Sequence, residues 1–249
     1  MDNLILENEE TIEDLDLKGY KIIQKKSGFR FGIDAVLLSD FAEIQSKDRV
    51  IDLGTGTGVI PILLFGKYNP FQIYGLEIQK KFADMAKRSV KLNGLDNNIK
   101  IIEGDIKDLK LIDKLGLFDS ITVNPPYKKT NSGIISKDKS LAIARHEILI
   151  NLEEILKSSK KLLKDGGKLF MINRPERLAD IFEAFRLYDI EPKKVRFIYP
   201  NPDKKPTMVL IEGVKFGKSF LEFEKPLFVY DNKGNYSDEI RRIYGDDRR

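Results

Sequence analysis

The 249-residue chain has no cysteine, no tryptophan and a single histidine, His146. Without cysteine there is neither a disulfide nor a thiolate metal site. One histidine argues against a histidine-based metal centre or a Ser–His pair, so no metal is expected. No apolar run approaches the length that spans a bilayer, and the acidic N-terminus lacks the pattern of a signal peptide. The expectation is a cytoplasmic chain with no membrane partner. What is present is ordinary for a globular protein able to bury a sizeable core: 41% hydrophobic and 33% charged residues.

Charge is unevenly spread. Residues 1–20 carry seven acids against one base, Lys18, so the rest of the chain holds about +10 of a total of +4. That basic excess fits either a solvated surface or a polyanionic partner.

From "YKIIQKK" (20–26) onward the pattern alternates. "GIDAVLLSDFAEI" has helical apolar spacing, "RVIDLG" is a short buried strand, and a helix follows through Val59–Gly66. "FQIYGLE" reads as a strand, and 79–93 as a helix with Phe82, Met85, Ala86 and Val90 on one face, closed by Asn93-Gly94. "IKIIEGD" and "FDSITVN" are further strands. Asn151 with Glu154 forms a capping-box-like helix start, and "KLFMIN" is a fifth strand. Residues 176–188 are helical, and "KVRFIYP" and "TMVLIEGVK" form a closing antiparallel pair. This alternation predicts a Rossmann-like α/β sheet covered on both faces. Residues 20–215 are expected to form the domain, with 1–19 a flexible acidic N-terminus and 216–249 a C-terminal tail.

"VIDLGTGTGVI" (50–60) places Gly54, Gly56 and Gly58 between the first strand of the series and its helix. Glycine permits positive φ and close backbone approach, and the helix start offers unpaired N–H donors. A dinucleotide or S-adenosylmethionine fits such a turn. The dinucleotide fingerprint has its third glycine where Val59 stands, which leans toward the second. Glu77, ending the next strand, suits a ribose diol in either ligand. Asp105 in "EGDI" can accept from an adenine amine or simply hold a turn, and Asp52 can equally hold a turn.

"FDSITVNPPYKK" (118–129) ends a strand in Asn124-Pro125-Pro126-Tyr127. Its carboxyl end belongs where strand order reverses, facing the crevice. An amino group conjugated to a ring or carbonyl has a delocalised lone pair that must be freed before methylation. An Asn oxygen and the Pro125 carbonyl can accept its two N–H bonds and stabilise the developing positive charge. The prolines fix the carbonyl, and Tyr127 offers a face for stacking.

Together, "IDLGTGTGVI", "GLEI", "EGDI" and "VNPPY" resemble the amino-methylating class I S-adenosylmethionine-dependent methyltransferases. The resemblance implies a seven-stranded, mostly parallel sheet with an antiparallel last strand. It also implies that Asn124, Pro125, Pro126 and Tyr127 hold the target amine. The candidate cofactor contacts are Phe31, Asp34, Asp52, Gly54, Thr55, Gly56, Gly58, Glu77, Ile78, Asp105, Ile106 and Asn124, with Phe31 and Asp34 covering the cofactor from above. "SGFRFGIDAVLLSDFA", "ARHEILINLEEIL", "YPNPDKKPTMVLIEGVK" and "YDNKGNYSDEIRRIYG" resemble more narrowly the bacterial family that methylates N6 of adenine 37 in tRNA(Val). The anticodon stem-loop is then the expected partner.

On the substrate side, a loop adenine must leave its stack to meet the methyl donor. Lys25, Lys26, Arg30, Lys128, Lys129, Arg145, His146, Arg174, Lys204 and Lys205 are candidate RNA contacts, in or near predicted loops. The same chemistry serves a base amine in rRNA or DNA, or the glutamine amide of a protein release factor. Monomer and dimer both stay open.

Overall fold

The computed structural model describes residues 6–7, 9–26, 32–125 and 152–245. In chain order these form β1 (Glu10–Asp14), β2 (Lys21–Lys25), α1 (Ile33–Phe41), β3 (Arg49–Leu53), α2 (Val59–Tyr68), β4 (Gln72–Glu77), α3 (Lys80–Leu92), β5 (Ile99–Glu103), α4 (Leu109–Leu115) and β6 (Phe118–Val123). Then come α5 (Leu152–Leu162), β7 (Leu163–Asn173), a 3-10 turn at Pro175–Arg177, α6 (Leu178–Leu187), β8 (Ile190–Tyr199) and β9 (Met208–Lys215). The two-residue strands β10 (Glu222–Phe223) and β11 (Leu227–Phe228) and the helix α7 (Asp238–Ile243) end the series.

The main sheet runs β10-β8-β9-β7-β6-β3-β4-β5, with β11 also on β8. β5, β4, β3, β6 and β7 are mutually parallel. β9 lies antiparallel between β7 and β8, and is the expected reversed last strand. The sheet has nine strands rather than seven because the short β10 and β11 extend its edge at β8.

Alternation along the strands explains the layering. Val50, Phe170, Ile172 and Leu210 join the core cluster under α1 and α2, whereas Ile51, Leu169, Met171, Val209 and Ile211 join the cluster under α5 and α6. Both faces are apolar because helices cover both. α3 ends as its sequence indicates, with Asn93 as C-cap and Gly94 at φ 67°.

The segments assigned outside the domain, the acidic N-terminus and the tail expected to wrap back through "PLFVY", are both built into it. Residues 10–14, expected to be flexible, pair antiparallel with β2. The resulting hairpin docks on α3 through side chains: Arg88 grips both Glu10 carboxylate oxygens at 2.7 and 2.8 Å, Ile23 N donates to Ser89 Oγ at 3.0 Å, and Lys21 N donates to Asn93 Oδ1 at 2.8 Å. The Arg88 guanidinium holds Glu10 below the usual carboxylate range. At the other end, Leu227, Val229, Ile240 and Ile243 from the expected tail are buried in the core under α1 and α2. A smaller difference lies at β7, where pairing jumps from Phe118–Leu163 to Ser120–Lys168, leaving the exposed residues 164–166 as a bulge. Asn151, the expected helix cap, lies outside the described residues.

Candidate active site

Register sets the site. Leu53 stands opposite Leu76 on one side and Val123 on the other, so Gly54, Glu77 and Asn124 follow at one level along the carboxyl edge. The chain passes β3, β4, β5 on one side of β3 and continues from β6 on the other, so this level is the switch point where α/β sheets bind ligands.

The glycine turn is pinned from below: Gly54 N and Thr55 N both donate to Leu76 O, at 2.8 and 3.0 Å. Gly54, Gly56 and Gly58 all take positive φ (73°, 57° and 87°). Two of them also differ in what a side chain would meet. A Cβ at Gly58 would come within 3.1 Å of the Ala86 Cβ, whereas one at Gly56 would project into space with nothing within 4 Å. That open space in front of the turn is what a ligand approaching the backbone closely requires.

Glu77 spans the turn and the next loop. Its Oε2 accepts from Gly56 N and its Oε1 from Gln79 N, both at 2.8 Å. Burial raises its pKa, opposed by hydrogen bonds from the backbone of Gln79, Gly56 and Ile78. Each oxygen keeps acceptor capacity beyond these bonds, which suits a vicinal diol. Beside it, Gly54, Leu76, Ile78, Gly104, Asp105 and Ile106 line a small pocket. The two isoleucines give apolar faces for a planar base. Asp105 Oδ1 accepts from Lys107 N at 2.9 Å, so the turn role holds, and Oδ2 takes no hydrogen bond among the described residues. Donor set, open turn and pocket together fit a nucleoside.

Asp52 is different. Only 1% exposed, it accepts from Thr122 Oγ1 at 2.7 Å and so ties β3 to β6 beneath the turn. Its Oδ2 and the nearby Thr55 Oγ1 are buried without a well-directed hydrogen bond. Burial pushes the Asp52 carboxyl up to about 7, against the lowering effect of the Thr55 and Thr122 hydroxyls. A raised acid pKa means the folded chain holds a proton that the unfolded chain has released. This contribution to stability is complete below about pH 4 and is lost as pH rises through about 7. Asp52→Asn keeps the acceptor for Thr122 and removes the titration. Denaturant midpoints of the variant will gain on the parent as pH rises from 5 to 8, and a pH-independent difference would show that Asp52 does not titrate there.

Asn124 closes the site on the β6 side. Its Nδ2 donates to Asp34 Oδ2 at 3.1 Å. An ionised carboxylate only accepts, so Asp34 selects the amide nitrogen and turns Oδ1 the other way. Asp34, expected over the cofactor, is thus placed on Asn124 by the first turn of α1.

Of the described basic candidates, three stand at this edge. Lys25 instead lies along α3, paired with Glu10 in the β1–β2 hairpin at the level of Arg88, and Lys26 N donates to Glu9 O at 2.7 Å. Arg174 follows the carboxyl end of β7 and bonds Thr207 O at 2.9 Å, while exposed Lys204 and Lys205 lie in the β8–β9 loop. Arg30, Phe31, Pro126, Tyr127, Lys128, Lys129, Arg145 and His146 lie outside the described residues. Sequence reasoning missed Thr122 as the partner of Asp52, and Leu76 and Gly104 as pocket walls. A polar residue in the otherwise apolar "ITV" of β6 was the available signal for the first. Among the described residues there is no group of three His, Asp or Glu side chains placed to hold a metal, and no helix long and apolar enough to cross a membrane.

Comparison with known proteins agrees with this geometry. A tRNA1(Val) (adenine(37)-N6)-methyltransferase of Porphyromonas gingivalis is 29% identical over 234 residues, 91% of each chain. One of Bacteroides thetaiotaomicron is 28% identical over 225 residues, 90% of this chain and 86% of its own. Among solved structures, a predicted O-methyltransferase from Agrobacterium tumefaciens superposes with a TM-score of 0.69 at 20% identity, covering 85% of this chain and 95% of its own. The family described as "Methyltransferase domain" matches residues 44–197, more than half of the sequence. The chain belongs to that methyltransferase family.

Proposed function

We propose that this methyltransferase uses S-adenosylmethionine to methylate the N6 amino group of adenine 37 in the anticodon loop of tRNA(Val). The observation that carries this reading is Asn124 at the switch point, its amide oriented by Asp34, at the same sheet edge as the small pocket formed by Gly54, Ile78, Asp105 and Ile106. The tRNA assignment is supported by the names of relatives that align along nine-tenths of the chain. The basic residues at the same edge supply phosphate contacts.

Bound S-adenosylmethionine supplies an electrophilic methyl group. In this chain, Glu77 would hold its ribose hydroxyls, the backbone of Gly54–Gly58 would meet its chain, and Ile78 and Ile106 would flank its base. Asp52 acts beneath, fixing β3 to β6 so that turn and Asn124 stay in register. Asn124 Oδ1 and the Pro125 carbonyl accept the two N–H bonds of the adenine amine. That arrangement localises the nitrogen lone pair and stabilises the positive charge that develops on it. The C–S bond electrons stay on sulfur as S-adenosylhomocysteine leaves, and the surplus N6 proton passes to solvent after the transfer. Tyr127 stacks on the adenine once it has left the loop.

The test is label transfer from S-adenosylmethionine to unmodified tRNA(Val) transcript, with release factor as a competing substrate, followed by digestion to nucleosides. N6-methyladenosine as the labelled product is the expected outcome. Label on another base, or on the release factor, would overturn the substrate assignment.

A further inference from the structure

Three tyrosines of the C-terminal segment form a stack. The Tyr230 and Tyr236 rings lie 5.5 Å apart and 11° from parallel, and those of Tyr236 and Tyr244 lie 5.9 Å apart at 19°. The turn between the first two is rigidly made: Asp231 Oδ1 accepts from Lys233 N and Asn235 N, at 2.8 and 2.9 Å, and Tyr230 and Tyr236 form a β-bridge. The segment is anchored by aliphatic side chains, Leu227, Val229, Ile240 and Ile243, all buried. Tyr244 packs partly buried against that core, but Tyr230 and Tyr236 do not hold the segment down, for they remain 40% and 44% exposed. A preformed stack that ends in two exposed rings therefore needs another account.

Its position supplies one. Val229 N and Tyr230 N bond the carbonyls of Tyr199 and Pro200, both at 2.8 Å, at the carboxyl end of β8. β8 is parallel to β6, so the ladder stands at the sheet edge that carries Asn124. Tyr230 continues β11, and four strand steps (β6-β7-β9-β8-β11) separate it from β6, about 19 Å at ordinary strand spacing, a gap that a few nucleotides bridge. α7, just before Tyr244, packs on α1, whose first turn holds Asp34. Burial, reinforced by Tyr236, Asp16 and Asp34, pushes the Tyr244 hydroxyl up to about 12. The β8–β9 loop, whose first residue Pro200 accepts from Tyr230 N, carries the exposed Lys204 and Lys205.

We propose that the Tyr230–Tyr236–Tyr244 ladder is a stacking platform for an unpaired base of the RNA loop near the methylated adenine, with Tyr230 as the receiving ring. The proposal rests on the tRNA reading above. Every base has a face that can stack, so the platform adds affinity and register without reading sequence. It would hold the loop open on one side while the target adenine enters the Asn124 site on the other.

The experiment uses the full chain with Tyr230→Leu, which keeps bulk but removes the aromatic face, and Tyr230→Phe, which keeps the face. Substrates are unmodified tRNA(Val) transcript and an anticodon stem-loop RNA carrying 2-aminopurine beside the target adenine. Expected for Tyr230→Leu is a rise of about 10-fold in KM for tRNA, with kcat and S-adenosylmethionine affinity within twofold of the parent (a factor of about two being 0.4 kcal/mol at room temperature). The parent and Tyr230→Phe will quench the 2-aminopurine, and Tyr230→Leu will not. If the parent methylates tRNA and Tyr230→Leu matches it in KM and quenching, the ladder proposal falls alone. If Tyr230→Leu loses cofactor affinity and melting temperature along with tRNA binding, the ladder is structural and the proposal also falls. A parent that fails to methylate any tRNA removes the function reading, and the platform with it.

Discussion

Asn124→Ala will lower kcat by about 10²–10³-fold, the usual loss when one group preorganised for developing charge is removed, while S-adenosylmethionine affinity stays within a few fold. The separation of the two readouts is the point. Asn124 follows β6 and bonds Asp34, whereas the pocket is built by Gly54, Leu76, Ile78, Gly104, Asp105 and Ile106 on the other side of β3. Removing the amide leaves that pocket intact. Asp34→Asn will reproduce part of the loss. An amide at 34 can donate as well as accept, so it no longer dictates which end of the Asn124 amide faces the amine. Equal losses of turnover and cofactor affinity in Asn124→Ala would mean the side chain props up the β3–β6 junction instead.

Glu77→Ala will have the complementary effect: Kd for S-adenosylmethionine rises by about 30–150-fold, or 2–3 kcal/mol, as expected for loss of hydrogen bonds to a charged group. Two effects add. The diol loses its acceptors, and Gly56 N and Gln79 N lose the carboxylate that fixes the glycine turn before any ligand arrives. Glu77→Gln retains one acceptor oxygen and will fall between parent and alanine variant. Saturating cofactor will restore much of the turnover in Glu77→Ala and none in Asn124→Ala. An unchanged Kd in calorimetric titration would contradict the role given to Glu77.

The parts of this site legible in the sequence are those whose chemistry is local. Gly54, Gly56 and Gly58 declare a turn, and Glu77, Asp105 and Asn124 each stand just beyond a short apolar run, so the sheet's register brings them together without further information. The Asp34–Asn124 bond was not legible, because it joins side chains 90 residues apart and depends on how α1 lies over the sheet. β1 was hidden by composition. Its acids read as a solvated tail, yet Glu10 is neutralised by Arg88, 78 residues onward, and the strand then follows. The C-terminal edge strands have two residues each, too short for periodicity to register. The tyrosine ladder is spread over residues 230, 236 and 244 with charges between, and it becomes a stack only because the Asp231–Asn235 turn joins the first two rings and α7 returns the third.

The most direct measurement is methyl transfer from labelled S-adenosylmethionine to two tRNA(Val) transcripts, one unmodified and one with adenine 37 replaced by guanine. The account predicts label on the first and none on the second. Equal label on both transcripts, or on neither, would contradict it.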